Sequence, residues 1–507
     1  GEEFLVLYYR TGSDKDGADV NTTLYLDGVH FEYEMDYAID DGYLTIEKVD
    51  GLQYTVTLDG DPVAESGGRY DLVANRGSES YDVNLKIVCT GSDGTVLAQT
   101  ETVYSTPGLE NEINTVSSTA GRNAAINAND NAVTPAYEEQ VSDGIVTKQS
   151  VLKYDLSQNE GPWPHIAFGA AGTAHATGGY SHIVFTMCIT GDLTNVKLLY
   201  HGKAEAGGSA KELYSFGTLS YKGWYDYYLP IEYFDYDLFA SGEQYLMPYI
   251  SESAAPKLVV YVEGIRFAIS HEMSEDGKLT VTDATAGATF KVTADGTEVS
   301  GTNNVYDIAA AVQKEKDEAS DVAVEISRIV GGVAVAKTTL VWTSPAGEGE
   351  INGFASTAGR YAAAGGASSV KPTFESAVSD GTVTKNNVAK YDFSGYAWPT
   401  IKFGAPLCDA PADGMFDSVV FTIYIDAEDT DILDLDYKKE GNVLVKNFRV
   451  AAGWAEYRLP ISDFNYDAFA SGEEFLVLYY RTGSDKDGAN VNTSVYIDGI
   501  RFEKEAA

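Results

Sequence analysis

The chain has 507 residues, enough for several domains of ordinary size. It carries 35 Lys+Arg against 76 Asp+Glu, a formal charge of −41, and so acidic a surface disfavours nucleic acid and anionic membrane, which are gripped through basic patches. No apolar run approaches the ~20 residues that span a bilayer, so no membrane insertion is expected, and the three cysteines (Cys89, Cys188, Cys408) fall one to a domain, too few for an intradomain disulfide frame.

From the N-terminus, the first segment returns near the end. Residues 1–34 (GEEFLVLYYRTGSDKDGADVNTTLYLDGVHFEYE) match residues 472–505 at about 27 of 34 positions. They are expected to be the C-terminal strands of an incomplete domain of a type here called A, and the chain to be a piece of a longer repetitive protein. Residues 35–110 follow as a shorter type, B, whose YLTIEKVDGLQYTVTLDG from Tyr43 answers KLTVTDATAGATFKVTADG from Lys278 in a second B segment, 269–348. Complete A segments span 111–268 and 349–507, matched by EINTVSSTAGR with EINGFASTAGR, WPHIAFGA with WPTIKFGA, and GWYDYYLPI with GWAEYRLPI. Self-similarity at fixed spacing marks a repeat architecture, expected to behave as a one-dimensional array in which each unit mainly touches its neighbours.

Short runs of alternating apolar and polar residues (FLVLYY, KLVVYVEGIRF, SVVFTIYID, TFKVTA), punctuated by Gly, Asn and Asp at about 8–12-residue spacing, predict an all-β fold of antiparallel sandwiches. The abundance of Tyr over Met agrees. The segment 307–320 (DIAAAVQKEKDEAS) is read as a strand running into a charged tip, because its counterpart from Asp71 reads so; a helix is the alternative. Each A segment closes on Y-[LVI]-[DE]-G-[VI]-x-F and contains GW-x-x-Y-x-LPI-x-x-F. Both phrases resemble the closing strands of jelly-roll carbohydrate-binding modules, and the B segments resemble, in size and strand spacing alone, bacterial immunoglobulin-like spacers. The resemblance implies a tandem array of jelly-roll β-sandwiches alternating with small Ig-like β-sandwiches.

No G-x-S-x-G elbow, P-loop, H-E-x-x-H or C-x-x-C is present, and none of the six histidines lies in the last A segment. No enzymatic activity is expected of this chain. Binding is a different matter, because flat aromatic rings stack on the C–H faces of sugars. Trp163 and Trp398 stand in the matched W-P phrase, Trp224 and Trp454 in the matched G-W phrase, and Tyr225 and Tyr479 in Tyr-rich stretches. These are the carbohydrate-binding candidates; each Trp of the G-W pair also begins a strand, where packing is the plainer role.

Metal candidates come from the loop GSDKDGAD (Asp14, Asp16, Asp19), repeated as GSDKDGAN (Asp485, Asp487, Asn490). Alternate carboxylates before a glycine offer oxygens to calcium, although the distal Glu of an EF-hand is missing and a solvated hairpin tip explains the loop as well. The resemblance further implies a structural calcium at the acidic residue of the closing phrase (Asp27, Glu263, Asp498), with Asp155 and Asp392 as possible completers. Buried, inert thiols are expected for Cys89 and Cys188, in apolar strands.

The leading expectation is a non-catalytic repeat segment of a bacterial extracellular or cell-surface protein. Its A segments would bind a polysaccharide or cell-surface glycan, with avidity gained by tethering. The alternatives are a purely structural fibre, stalk or surface layer, joined to neighbouring copies through strand complementation at residues 1–34, and an accessory region of a giant glycoside hydrolase.

Overall fold

The structure is a computed structural model that describes residues 35–505 apart from 74–76, 129–131, 172–177, 203–209, 313–317, 348 and 413. Residues 1–34, and with them Asp14, Asp16, Asp19, Asp27 and the expected complementing strands, lie outside the described residues. The fold is all-β: the described strands form eight antiparallel sheets. The chain divides into two compact units, residues 1–72 with 84–102, and residues 73–83 with 103–507.

The first unit carries a sheet of Tyr37–Asp40, Tyr43–Ile46, Arg69–Asp71 and Glu65–Ser66. A second is built on Gln53–Leu58 paired with Asp82–Thr90. Period-2 alternation sends one set of side chains inward, and Leu44, Leu85, Ile87 and Cys89 are fully buried.

The second unit holds the second B segment and both complete A segments. Each A segment has a long sheet and a short one, with the same strand order. In the middle segment the long sheet runs Ala136–Ser142, Thr147–Asp155, Leu258–Ile269, Tyr180–Gly191, Trp224–Pro230, with Glu112–Thr115 beside the third. In the last it runs Thr373–Ser379, Thr384–Asp392, Ser494–Glu503, Ser418–Asp426, Ala455–Pro460, with Glu350–Gly353 in the matching place. The short sheets are Lys211–Thr218, Lys197–Gly202, Gln244–Tyr249 in the middle segment, and Val443–Arg449, Leu433–Lys439, Phe475–Tyr480, Thr400–Ile401 in the last. The core between the sheets is filled at matching positions, by Phe168, Phe185 and Tyr200 in one and by Phe403, Phe421 and Tyr437 in the other.

Two expectations need correction. The strand expected over 307–320 ends at Asp307, and a one-turn helix, Ile308–Ala311, begins there because the Asp307 carboxylate accepts from Ala310 N at 2.9 Å. Two longer helices were not foreseen: Thr119–Ile126 and Thr357–Gly365, at the repeated STAGR. Ser118 and Ser356 cap them through Gly121 N (3.2 Å) and Gly359 N (3.1 Å). The glycine is required, since a Cβ at Gly121 or Gly359 would collide with the carbonyl oxygen of Thr115 or Gly353.

The linear-array expectation also gives way within this unit. The two A segments touch directly across the B segment: Tyr225 stacks on Tyr361 (5.1 Å between centroids), the Tyr221 ring meets Phe374 (6.0 Å), and Arg360 Nε donates to the Tyr221 hydroxyl at 3.3 Å. Tyrosines that face a neighbouring sandwich gain more by burying their rings there than by remaining wet. On the other side of the same helix, the Asp321 carboxylate accepts from Thr357 N (2.9 Å), Thr357 Oγ1 (2.7 Å) and Arg360 Nη2 (3.2 Å), tying the B segment to the last A segment.

Candidate functional site

The strand Leu433–Lys439 reads LDLDYKK. Alternation turns Leu433, Leu435 and Tyr437 into the core and leaves Asp434, Asp436 and Lys438 on the opposite face of the short sheet. In register beside them stand Tyr479 against Asp434, Val477 against Asp436 and Phe475 against Lys438. On the other flank Arg449 pairs with Asp434 and Asn447 with Asp436. Trp398, two residues before the edge strand Thr400–Ile401, stacks on Tyr479, with centroids 4.4 Å apart and planes 19° from parallel.

The two carboxylates are 5% and 3% exposed, and a buried charge has to be met by partners. Asp434 Oδ1 accepts from Arg449 Nη1 at 2.6 Å and from Arg481 Nε at 3.2 Å. Asp436 accepts from Asn447 Nδ2 at 2.7 Å and from the Tyr479 hydroxyl at 3.1 Å, and lies 3.4 Å from Lys438 Nζ. Lys438 Nζ sits 5.5 Å from the Tyr479 centroid and 6.0 Å from that of Trp398. Burial, followed by the Asp436 charge, pushes the Tyr479 phenol up to about 12, so it remains a neutral donor. Both carboxylates are thus spent on holding the face together. Trp398 is 47% exposed although Tyr479 covers one side of it, so its open area lies on the other face and edge. The arrangement is a rigid aromatic platform beside a row of fixed polar groups, which suits stacking and hydrogen bonding.

Trp398 and Tyr479 are therefore brought together. Trp163 is 54% exposed at the matching place in the middle segment. Trp224 is buried, and its Nε1 donates to Val141 O at 3.2 Å, while Trp454 is half-buried against Tyr424 (5.6 Å). Tyr225 is committed to the contact with Tyr361, and a ring that packs on another domain has little face left for a ligand. Among the metal candidates, Asp487 accepts from Gly483 N at 2.9 Å, Asp485 and Asn490 are exposed, and Asp498 pairs with Lys385 at 2.9 Å. Asp392 accepts from Ser394 N and Oγ, which hold its carboxyl below the usual range. Asp392 stands opposite Ser494, four residues along the strand from Asp498, so the two are roughly 13 Å apart by strand rise and do not share one ion. Among the described residues no three His, Cys, Asp or Glu side chains converge as a metal site.

Asp434, Asp436, Lys438, Asn447, Arg449 and Arg481 escaped sequence reasoning. Splitting LDLDYKK by its period of two, and asking what the acidic face of an otherwise apolar strand is for, is the signal that would have found the first three.

The matching face of the middle segment differs. Register places Lys197, Leu199 and His201 where the last segment has Asp434, Asp436 and Lys438, with Tyr249, Met247 and Tyr245 opposite them. Leu199, Tyr245, Met247 and Ala167 form an apolar cluster, and His165 and His201 stack on Tyr245 at 4.0 and 6.0 Å. Burial holds the His201 imidazole below its usual range, which keeps it neutral.

No family model matches the sequence, and no curated protein matches it. Among solved structures, the chain is similar to the Bacteroides ovatus mixed-linkage glucan utilization locus SGBP-B in complex with a mixed-linkage heptasaccharide (10% identity, 91% of each chain covered, TM-score 0.12). It is similar to a Bacteroides thetaiotaomicron protein whose description proposes a glycoside hydrolase (12% identity, 46% of this chain and 88% of that one, TM-score 0.19). A third is the BSP domain of a biofilm associated protein (10% identity, 90% and 95% covered, TM-score 0.12). At TM-scores of this size the likeness carries no functional argument, which rests on the site itself. No helix among the described residues is long and apolar enough to cross a membrane.

Proposed function

We propose that the chain is a non-catalytic, glycan-binding segment of a bacterial extracellular or surface protein, and that the outer face of the short sheet in the last A segment is its sugar site. The observation that carries this reading is the half-exposed Trp398 stacked on Tyr479 beside the Asp434 and Asp436 network. A surface aromatic held by a second ring is pre-organised, so little conformational entropy is lost when a sugar lands on it. The test is affinity electrophoresis of the whole chain through gels of soluble polysaccharides, with and without calcium. Retardation by a polysaccharide that disappears in Trp398→Ala supports the site, and uniform mobility in every gel overturns it.

A structural reading is favoured by a different observation. The Tyr225–Tyr361 and Arg360–Tyr221 contacts fix the two A segments against each other. A fibre or stalk needs such contacts, and a rigid pair of sugar sites uses them equally well, so the two readings are compatible.

A further inference from the structure

We propose that the sugar taken by this face is anionic, a uronate or sulfated glycan; the inference rests on the glycan-binding reading above. The chain as a whole bears 76 acidic against 35 basic residues, yet the face around Trp398 reverses that balance. Arg449, Arg481 and Lys438 stand against Asp434 and Asp436, with Arg481 Nη2 also donating to the Asp431 carbonyl at 2.9 Å. At the end of the same row Lys402 Nζ lies 5.2 Å from the ring of Phe475, which faces Lys438 in register. One carboxylate, Asp434, serves two guanidinium groups, so a positive charge is left over. Arg449 holds Asp434 through Nη1 while its side chain is 64% exposed, and a guanidinium has five N–H donors in a planar fork that matches a carboxylate or sulfate.

The spacing suits a short oligosaccharide. Tyr479, Asp434 and Arg449 lie on three adjacent strands, so the Tyr479 and Arg449 backbones are about 10 Å apart across the sheet. A ring stacked on Trp398 would place an acidic group of a following residue near Arg449. The net negative charge of the rest of the chain does not forbid this, because beyond about 8 Å at physiological salt it is largely screened. The middle segment supplies the contrast within one molecule: Ala167 stands where the last segment has Lys402, Leu199 replaces Asp436 and Ser251 replaces Arg481. Its floor is an apolar cluster, and it lacks the surplus guanidinium.

The experiment compares matched gels on the whole chain: polygalacturonate against its methyl ester, and dextran sulfate against dextran. Expected are retardation by an anionic gel and its loss on esterification or with unsulfated dextran. In Arg449→Gln, which leaves Arg481 on Asp434, the gel concentration for half-retardation should rise about tenfold. The polygalacturonate and dextran sulfate arms tell a carboxylate ligand from a sulfate one. Equal retardation by neutral and anionic gels, lost in Trp398→Ala, would overturn the anionic inference and leave the glycan site standing. Retardation by anionic gels that persists in Trp398→Ala would mean plain ion exchange and overturn it too. No retardation in any gel would remove both readings. Circular dichroism of each variant verifies that the fold is kept.

Discussion

The two complete A segments share a core and differ on one face. In both, a buried tyrosine hydroxyl is tied to the residue that also caps a helix approach: Tyr200 donates to Gln244 at 2.8 Å and Tyr437 to Glu474 at 2.6 Å, while Asp235 N and Asn465 N donate to the same acceptors. Across the sheet the resemblance ends. One face is a His165–Tyr245–His201 stack on an apolar floor, the other an aromatic pair set in a lattice of ions. The hydrogen-bond ladder and the core side of each strand fix the sandwich, and the alternate residues on its other side are free to carry chemistry.

The largest expected effect separates the segments at their equivalent arginines. Arg360 is 2% exposed and bonds Asp321, Thr357, the carbonyls of Phe354 and Ala355, and Tyr221. Arg122 makes the matching bonds to Asp82, Thr119 and the carbonyls of Val116 and Ser117, but its side chain is 22% exposed. Arg360→Ala removes the donor of the Phe354 and Ala355 carbonyls and one partner of the Asp321 carboxylate, which keeps Thr357, at roughly 3 kcal/mol; Arg122→Ala should cost distinctly less. Differential scanning calorimetry of the two variants gives the comparison, and equal losses would mean that the contact with Tyr221 contributes nothing.

Next in size is the binding contrast. Trp398→Ala should abolish polysaccharide retention by the last segment, and Trp163→Ala should leave that retention intact, because Trp163 serves a face of different chemistry. Loss in both variants alike would point to a shared site.

A smaller contrast lies in the cores. Tyr437→Phe removes a donor from a buried, ionisable Glu474, and Tyr200→Phe removes one from a neutral Gln244. The first should cost about 2 kcal/mol and the second about 1, since bonds to charged groups are the stronger ones. Chemical denaturation monitored by tyrosine fluorescence reads both, and Glu474→Gln in the Tyr437→Phe background should bring the two losses together.

Much of this was legible in the sequence. The repeat, the all-β class and the pairing of the W-P tryptophans follow from matched phrases and a period of two, which are local properties of the chain. The helices at STAGR were not, because Thr119–Ile126 and Thr357–Gly365 are short and the face each buries is made chiefly of Gly and Ala; only the Ser cap announces them. Nothing local foretells that a tyrosine 139 residues away closes over Arg360. Tyr225 and Tyr479 look alike in sequence. The docking of one A segment on the other buries the first, and a stacked tryptophan holds the second at the surface.

The finest contrast is one of pH. Glu112 and Glu350 open the matched first strands of the two A segments, and burial raises both carboxyls. Glu350 accepts from Ala319 N at 2.6 Å and Gly347 N at 3.3 Å. Glu112 accepts from Leu109 N at 3.1 Å and Ser80 N at 3.2 Å, and burial, aided by the Glu79 charge, pushes it from 4.5 up to about 7. A folded-state value above the unfolded one means that the folded chain binds the proton more tightly. The stability this gives is complete below about pH 4.5 and is lost as pH rises through about 7. At 1.36 kcal/mol per pH unit the gap is worth at most roughly 3 kcal/mol. Glu112→Gln mimics the protonated group. Its melting temperature should match that of the parent at pH 4 and exceed it at pH 8, with the difference growing between those limits. A difference that stays constant with pH would show that folding leaves the Glu112 carboxyl unshifted, its backbone donors offsetting its burial.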